Sequence, residues 1–262
     1  MSEFFTNEKA DFQGLSFITL KSNALKKRAD ITVYEPKSGD KAEDLPIVIL
    51  LHGVYGSHWA WAVKANVHKT IESLIEEKQC RPMLLVMPSD GLYGDGSGYL
   101  PHKAENYEQW IVEDVIQAVK EQFSTVSEKS PVFIAGLSMG GFGAMRLGAK
   151  YPKVFKAFSG LSSITHFDQF EHFVADFSQL KRDAVEQDGV SDWLLKNKTI
   201  LPPFRFDCGK ADILIEANRE LHNVLKLNDI PHDYFEFEGE HSWEYWEENI
   251  GKTFMFFNNF LR

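Results

Sequence analysis

Val132-Phe133-Ile134-Ala135-Gly136-Leu137-Ser138-Met139-Gly140 is the stretch of sequence that decides the fold. Its apolar start is typical of a strand buried on both faces of a parallel sheet. The G-x-S-x-G turn that follows lifts a serine above the strand end, and its glycines leave room for neighbouring chain. A helix is predicted from Met139 to Lys150, because Tyr151-Pro152 disfavours its continuation. Ser138 is therefore predicted to be a nucleophile at a helix N-terminus, where N–H groups stabilise a developing oxyanion.

Apolar strands alternate with helical patterns on both sides of this unit. Further strands are predicted at 46–51, 83–87, 155–159, 205–208 and 233–237, after an antiparallel pair at 17–20 and 31–34. Helical patterns cover 66–78, 105–123, 217–227 and 244–261. This alternation predicts an α/β fold with a mainly parallel central sheet, helices on both faces and antiparallel strands at one edge.

Residues 162–201, called the insertion below, interrupt this alternation because they contain no convincing strand. Phe167, Phe170, Phe173 and Phe177 recur there at roughly helical spacing, which predicts a helical insertion after the sixth strand. The insertion either packs its apolar stripe on the core or forms a cap over the reaction site. The chain shows no linker or repeat, so residues 1–262 are expected to form a single domain.

A serine hydroxyl needs a base, and in α/β-hydrolase folds the chain order is serine, then acid, then histidine. His241 lies in Gly239-Glu240-His241-Ser242-Trp243, after the last predicted strand and before the last predicted helix. That loop should emerge at the same carboxyl edge of the sheet as Ser138. The other downstream histidines lie in the insertion, in a helical pattern or at a strand start; these are His166, His172, His222 and His232. His241 is therefore the predicted base.

The acid should come from the loop after the preceding strand, where the sequence offers two aspartates. Asp207 lies within the predicted strand, and Asp212 lies on the loop beyond it. The loop position can reach His241, so Asp212 is the predicted acid that holds the imidazole tautomer. The competing interpretation is that Asp212 caps the helix that follows, a role that one carboxylate should not combine well with the first.

Two backbone N–H groups are expected to stabilise the oxyanion. One is that of Met139, and the other is that of Val54 in the loop after residues 46–51, with Gly53 as the runner-up. The glycine-rich loop at 89–99 should reach the same edge, either to shape an acyl or sugar pocket or as an ordinary surface loop. The candidate substrate-contacting residues are Gly53, Trp59, Tyr99 and Trp243.

Composition narrows the classes of partner. The formal net charge of -10 argues against nucleic acid and anionic membrane surfaces. Cys80 and Cys208 show no metal-ligand spacing, and Asp90 and Asp95 lack the pattern of a calcium loop, so no metal is expected. The N-terminal residues lack the order of a secretion signal, and no apolar run is long enough to cross a bilayer. We therefore expect a cytoplasmic protein that binds no membrane; a homo-oligomer is compatible with this sequence.

Several motifs together resemble a known family. They are Leu50-Leu51-His52-Gly53, the stretch from Phe133 to Gly141, Cys208-Gly209 with Asp212, and Gly239 to Trp243 followed by Tyr245-Trp246-Glu247. The sequence resembles the esterase D-type branch of the α/β hydrolases, and most closely its bacterial tributyrin esterases. The resemblance covers most of the chain from about Thr32 onward and is weakest in the insertion.

The resemblance implies a serine carboxylesterase that hydrolyses short-chain acyl esters of small molecules and needs no cofactor. It carries the nucleophile, acid and base onto Ser138, Asp212 and His241. The branch also includes feruloyl esterases and S-formylglutathione hydrolases, so an esterase for acetyl or feruloyl sugars and a thioesterase remain alternatives. Val54-Tyr55-Gly56 departs from the Leu-Thr-Cys of the formylglutathione enzymes. A non-catalytic binding protein on the same scaffold is the remote alternative.

Overall fold

The computed structural model describes residues 3–9, 14–37, 43–90, 94–180 and 189–261. Its strands are β1 (Glu3–Lys9), β2 (Leu15–Lys21), β3 (Arg28–Tyr34), β4 (Ile47–Leu51), β5 (Leu84–Pro88), β6 (Val132–Leu137), β7 (Phe155–Leu161), β8 (Phe204–Gly209) and β9 (Asp233–Phe237). Its helices are α1 (Ala60–Lys64), α2 (Val67–Glu76), α3 (Tyr107–Gln109), α4 (Ile116–Gln122), α5 (Met139–Lys150), α6 (Val190–Lys196), α7 (Ile215–Leu227) and α8 (Trp243–Asn258). A π-helical segment, Trp110–Val115, joins α3 to α4.

These strands form one nine-stranded sheet in the order β1-β2-β3-β5-β4-β6-β7-β8-β9. The strands from β4 onward run parallel to one another, whereas β1, β2 and β3 add antiparallel pairs at one edge, the last of them between β3 and β5. β4 and β6 are fully buried along their length, as their continuous apolar sequences predict. Leu51 pairs with Gly136, so the loop after β4 emerges beside the turn that carries Ser138.

Helices cover both faces of this sheet, which confirms the predicted architecture. On one face, α2 and α8 bury an apolar stripe that includes Ile71, Ile250 and Phe254. Phe257 of α8 also stacks on Phe133 of β6, with ring centroids 4.8 Å apart. On the other face, the α3–α4 unit, α5 and α7 pack on the opposite side chains of the same strands. A mainly parallel sheet with helices on both faces is the arrangement expected of an α/β-hydrolase fold.

The sequence did not predict β1. Its residues, Glu3-Phe4-Phe5-Thr6-Asn7-Glu8-Lys9, are largely polar, and they join the sheet by pairing with β2, for example Phe4 opposite Leu20. Edge strands need no apolar run on both faces, so periodicity carries little signal there. Because of β1, the insertion follows the seventh strand of the sheet rather than the sixth.

The insertion contains less helix than its phenylalanine spacing predicts. It forms two 3₁₀ turns, Phe167–His172 and Phe177–Leu180, and then α6. Phe170 is fully buried and packs edge-on against Phe142 of α5, at 5.3 Å between ring centroids. The apolar stripe therefore does pack on the core; residues 181–188 of the predicted insertion lie outside the described residues. No helix among the described residues is both long and apolar enough to cross a membrane.

Candidate active site

Ser138 occupies the sharp turn between β6 and α5. Its backbone angles are φ 52° and ψ -118°, a strained conformation that residues other than glycine rarely adopt and that clusters at functional sites. A Cβ added to Gly136 would lie 2.2 Å from the Gly140 carbonyl oxygen, and one added to Gly140 would lie 2.2 Å from that of Leu51. The two glycines of the motif are therefore required by close backbone contact, and the turn holds Ser138 at the carboxyl edge of the sheet.

His241 and Asp212 lie beside Ser138 in one hydrogen-bonded relay. The His241 Nε2 atom is 3.0 Å from Ser138 Oγ, and its Nδ1 atom is 2.9 and 3.0 Å from the two oxygens of Asp212. Because a carboxylate can only accept, Nδ1 carries the proton and Nε2 is free to accept from the serine hydroxyl. The structure thus brings together the three residues predicted as nucleophile, base and acid, in the geometry of a Ser-His-Asp triad.

The two aspartates of β8 and its following loop have different partners. The Asp212 carboxylate also accepts the Leu214 N–H at 2.8 Å in the turn before α7. The N-cap residue of α7 is Leu214, with no side-chain cap, so Asp212 supports this turn and the histidine but does not cap the helix. It can accept from both because the carboxylate has lone pairs for both donors. Asp207 instead accepts from Arg205 Nη2 and from the Tyr245 hydroxyl, each at 2.8 Å. Burial raises the pKa of Asp207 to about 6, against the lowering effects of Arg205 and Tyr245.

Two aromatic rings flank the His241 imidazole. Trp246 of α8 meets it edge to face at 5.0 Å between ring centroids, and Phe173 of the insertion lies tilted at 5.2 Å. Only about a sixth of the His241 side chain is exposed, which keeps the relay largely out of water. Sequence reasoning missed both rings. The phenylalanine spacing placed Phe173 in an apolar stripe, and nothing in it shows which ring faces the histidine.

The oxyanion loop, residues His52–Gly56, lies directly against the serine. A Cβ added to Gly53 would lie 3.5 Å from the Ser138 Cβ, so this loop passes within van der Waals contact of the nucleophile. Val54 is the next residue, and Met139 follows Ser138 as the first residue of α5. Within the described part of the chain, neither backbone N–H donates to another residue. Both predicted donors are therefore available near Ser138.

Of the residues predicted to contact substrate, Tyr99 is the one whose surroundings argue otherwise. Its ring is fully buried, and its hydroxyl donates to the His52 carbonyl oxygen at 3.0 Å. We therefore assign Tyr99 to supporting the oxyanion loop rather than to contact with substrate. Trp59 is the residue before α1 and is 38% exposed, so part of its ring is open to solvent.

Trp243 is half-buried between two other tryptophans. Its ring packs edge to face on Trp61 at 6.1 Å and on Trp246 at 5.2 Å. Since Trp246 contacts His241, Trp243 reaches the relay through one intervening ring.

The remaining predicted elements lie elsewhere or outside the described residues. His222 of α7 and His232, just before β9, pair with each other at 2.8 Å rather than with Ser138 or Asp212. Residues 91–93 of the glycine-rich loop lie outside the described residues. Among the residues that the structure does describe, no group of three or more His, Cys, Asp or Glu side chains is arranged to hold a metal ion.

Comparisons with known proteins find a matching family and similar solved structures. A family model described as "Putative esterase" matches residues 22–257. An acetyl esterase from Caldicellulosiruptor saccharolyticus is 28% identical over 232 residues, which cover 81% of this chain and 83% of that protein. A solved ferulic acid esterase superposes with a TM-score of 0.82 at 23% identity, over 95% of this chain and 98% of that chain. The S-formylglutathione hydrolase of Staphylococcus aureus superposes with a TM-score of 0.77 at 19% identity, over 98% of each chain.

The two superpositions confirm the predicted α/β-hydrolase fold, and the family match confirms the predicted esterase class. The family resemblance inferred from the motifs around Ser138 and His241 is likewise confirmed. Since the family model spans most of the sequence, the chain belongs to the esterase family described as "Putative esterase".

Proposed function

We propose that this protein is a serine carboxylesterase that hydrolyses short-chain acyl esters through an acyl-enzyme on Ser138. The observation that supports this function is the continuous relay from Asp212 through His241 to Ser138, with each step at 3.0 Å or less. A serine aligned with a base, which is in turn aligned with a carboxylate, is the arrangement that makes a hydroxyl nucleophilic at neutral pH.

The acyl-enzyme forms in two steps. The Ser138 Oγ attacks the ester carbonyl carbon while His241 Nε2 takes the hydroxyl proton, and Asp212 stabilises the resulting imidazolium. The carbonyl oxygen becomes an oxyanion that accepts from the Val54 and Met139 N–H groups. The carbon–oxygen bond to the alcohol then breaks, and the alcohol leaves with the proton from His241.

Water then hydrolyses the acyl-enzyme through the same steps. His241 takes a proton from a water molecule, whose oxygen attacks the acyl carbon through a second tetrahedral oxyanion. The bond to Ser138 Oγ breaks, the serine regains its proton from His241, and the carboxylic acid departs. No step requires a group beyond these residues and water.

Ser138→Ala tests this function directly. The variant should lose about 10⁴-fold or more in kcat toward p-nitrophenyl acetate, and it should no longer be labelled by a fluorophosphonate probe. Ser73→Ala, at an exposed serine of α2, is the matched control and should keep both activity and labelling. Persistent labelling of Ser138→Ala would contradict the assignment of the nucleophile. A chain-length series of p-nitrophenyl esters then measures the preferred acyl group, which we expect to be short.

Exposed aromatic rings near the site favour a second candidate, an esterase for acetylated or feruloylated carbohydrates. Tyr55 of the oxyanion loop is 63% exposed and Trp59 is 38% exposed. Large rings left open to solvent beside a reaction centre are suited to packing against a sugar or an aromatic acyl group. Rates on tributyrin, acetylated xylan and methyl ferulate separate the candidates. Preference for xylan or ferulate, reduced by Tyr55→Ala and Trp59→Ala, would favour the carbohydrate esterase.

Other aspects of the predicted biology remain proposals. A thioesterase is disfavoured by Val54-Tyr55-Gly56 in the oxyanion loop, and hydrolysis of S-formylglutathione tests it. A non-catalytic role would require that no ester in this panel is hydrolysed. We also propose that residues 1–262 form one domain and that the protein acts in the cytoplasm without nucleic-acid partners. Light scattering measures whether it forms a homo-oligomer.

A further inference from the structure

Asp95 lies where the oxyanion loop meets the insertion. Its backbone carbonyl accepts the Tyr55 N–H at 2.8 Å, and its Oδ2 atom accepts the Ala175 N–H at 2.6 Å. We propose that Asp95 is a positioning residue for hydrolysis, which holds the Val54 N–H in place and ties it to the segment beside His241. This inference rests on the proposed function, in which Val54 stabilises the oxyanion.

The oxyanion loop needs an external support because its backbone is strained at Tyr55. Tyr55 has φ 58°, in the left-handed region that favours glycine. Its ring is mostly exposed, so side-chain packing does little to hold this conformation. The hydrogen bond from the Tyr55 N–H to the Asp95 carbonyl therefore restrains the residue next to Val54. A loop released from that bond would relax, and the Val54 N–H would turn away from the oxyanion.

The Asp95 side chain extends the restraint to the insertion. Its carboxylate accepts from the Ala175 N–H, and the Tyr55 hydroxyl makes a longer contact of 3.5 Å to the same oxygen. Hydrogen bonds to an ionised acceptor are among the stronger ones in proteins. Phe173 lies two residues before Ala175 and packs on the His241 ring. Asp95 thus contacts the oxyanion loop through its backbone carbonyl and the segment that covers the base through its carboxylate.

Gly96, the residue after Asp95, lies against the side chain of Met139, whose N–H is the second oxyanion donor. A Cβ added to Gly96 would lie 2.4 Å from the Met139 Sδ atom, so the chain passes tightly over the start of α5. The Asp90 carboxylate accepts the Ser97 N–H at 2.8 Å and fixes the far side of the same turn. Asp95 is therefore restrained on two sides, by the close contact of Gly96 with Met139 and by the hydrogen bond to Ala175. These restraints fix the backbone carbonyl that accepts from Tyr55.

Asp95→Ala, with Asp95→Asn as the conservative variant, tests this role. Asp95→Ala keeps the backbone carbonyl that accepts from Tyr55 but removes the carboxylate that anchors this residue to Ala175. It should lower kcat toward p-nitrophenyl acetate by about 10- to 100-fold and change KM by less than about threefold, because the unanchored carbonyl no longer fixes the oxyanion loop. The Ki of a trifluoromethyl ketone, which leaves an oxyanion when Ser138 attacks it, should rise by the same factor as kcat/KM falls. Asp95→Asn should stay within about threefold of wild type, because its amide oxygen can still accept from Ala175.

Asp168→Ala is the matched control, since it makes the same substitution at a carboxylate of the insertion that is 81% exposed. It should stay within about twofold of wild type in kcat. Wild-type kcat in Asp95→Ala would overturn the inference. So would a fall in kcat without a parallel rise in the Ki of the ketone, or an Asp95→Asn variant as impaired as Asp95→Ala, because these results indicate a role in the fold alone.

Failure of this inference is distinguishable from failure of the proposed function. Activity retained by Ser138→Ala would remove the function, whereas normal Asp95 variants alongside an inactive Ser138→Ala would remove only the role of Asp95. Circular dichroism and thermal unfolding establish that each variant is folded. If Asp95→Ala does not fold, Asp95→Ser replaces it with the same expected losses, because serine is polar but too short to reach the Ala175 N–H.

Discussion

Replacing Asp212 by asparagine should remove most turnover while leaving the fold intact. In the wild type, both carboxylate oxygens lie within 3.0 Å of His241 Nδ1, and Oδ1 also accepts the Leu214 N–H at 2.8 Å. Asparagine has one oxygen acceptor, which the Leu214 N–H retains. The amide NH₂ then faces His241, so Nδ1 must accept and the ring proton moves to Nε2. An imidazole with its proton on Nε2 cannot take the proton of Ser138.

The magnitude follows from this change of tautomer. A wrong tautomer in a Ser-His-Asp relay lowers kcat by about 10⁴-fold, which corresponds to about 5.5 kcal/mol of transition-state stabilisation. The free energy of unfolding should fall by no more than about 2 kcal/mol, because the amide keeps the hydrogen bond to Leu214 and fills the same volume. Loss of catalysis should therefore far exceed loss of stability.

Asp207→Asn is the matched control, since Asp207 is also buried and precedes the same loop. Its carboxylate bonds Arg205 and Tyr245 and makes no contact with His241. Because burial raises the pKa of Asp207 to about 6, this position accommodates a neutral group readily. The amide oxygen can still accept from Arg205. We expect kcat to fall by less than about tenfold.

The assay is hydrolysis of p-nitrophenyl acetate at pH 7, with kcat and KM determined for both variants below their unfolding temperatures. Urea unfolding of each variant provides the stability comparison. The reasoning fails if Asp207→Asn loses as much kcat as Asp212→Asn, because the loss would not be specific to the aspartate that contacts His241, and the reverse order of the two losses would make Asp207 the acid. It also fails if Asp212→Asn retains more than about a tenth of wild-type kcat, because the tautomer argument would not apply.

Three further outcomes are expected. Gly140→Ala should destabilise the protein by about 1 to 3 kcal/mol and reduce kcat, because the added Cβ would lie 2.2 Å from the Leu51 carbonyl oxygen. Gly251→Ala is the control, and urea unfolding should show it to be neutral or stabilising, because its nearest contact is at 3.4 Å. Glu108→Gln should lower the free energy of unfolding by about 3 kcal/mol, because it leaves the fully buried Arg146 guanidinium without its ion pair; a fully stable variant would contradict this. The folded-state pKa of Asp207, about 6, lies above that of an unfolded aspartate, so its stabilising contribution is present at low pH and is lost as pH rises. Between pH 4 and pH 7, wild type should lose up to about 3 kcal/mol relative to Asp207→Asn, and parallel pH curves for the two proteins would contradict this.

The meeting of Ser138, Asp212 and His241 could be predicted because these residues follow strands at recognisable places in the sequence. Ser138 follows an apolar strand in a glycine turn, and His241 and Asp212 follow the last two strands. In a parallel sheet the ends of such strands meet at one edge, so chain position alone implies spatial proximity. The choice between Asp207 and Asp212 also followed from chain position, because a residue on the loop beyond the strand can reach His241.

Other parts of the site carried no such signal. The flanking of His241 by Phe173 and Trp246 depends on how the insertion and α8 pack against each other. Tyr99 was expected at the substrate, but its ring is buried beneath the oxyanion loop, and a sequence does not distinguish these two locations. Asp95 lies in a glycine-rich loop, and its sequence position does not show that Tyr55 and Ala175 contact it.

What the sequence by itself determined was the parallel sheet, the turn at Ser138 and the order of the three residues that meet there. These depend on local periodicity and on glycines that backbone contact requires, and both are written along the chain. What only the tertiary structure decided was the environment of that relay: which rings cover His241, which loop holds Val54, and which aspartate supports the insertion. Contacts between residues distant in sequence arise from packing of the whole chain, so no short stretch specifies them.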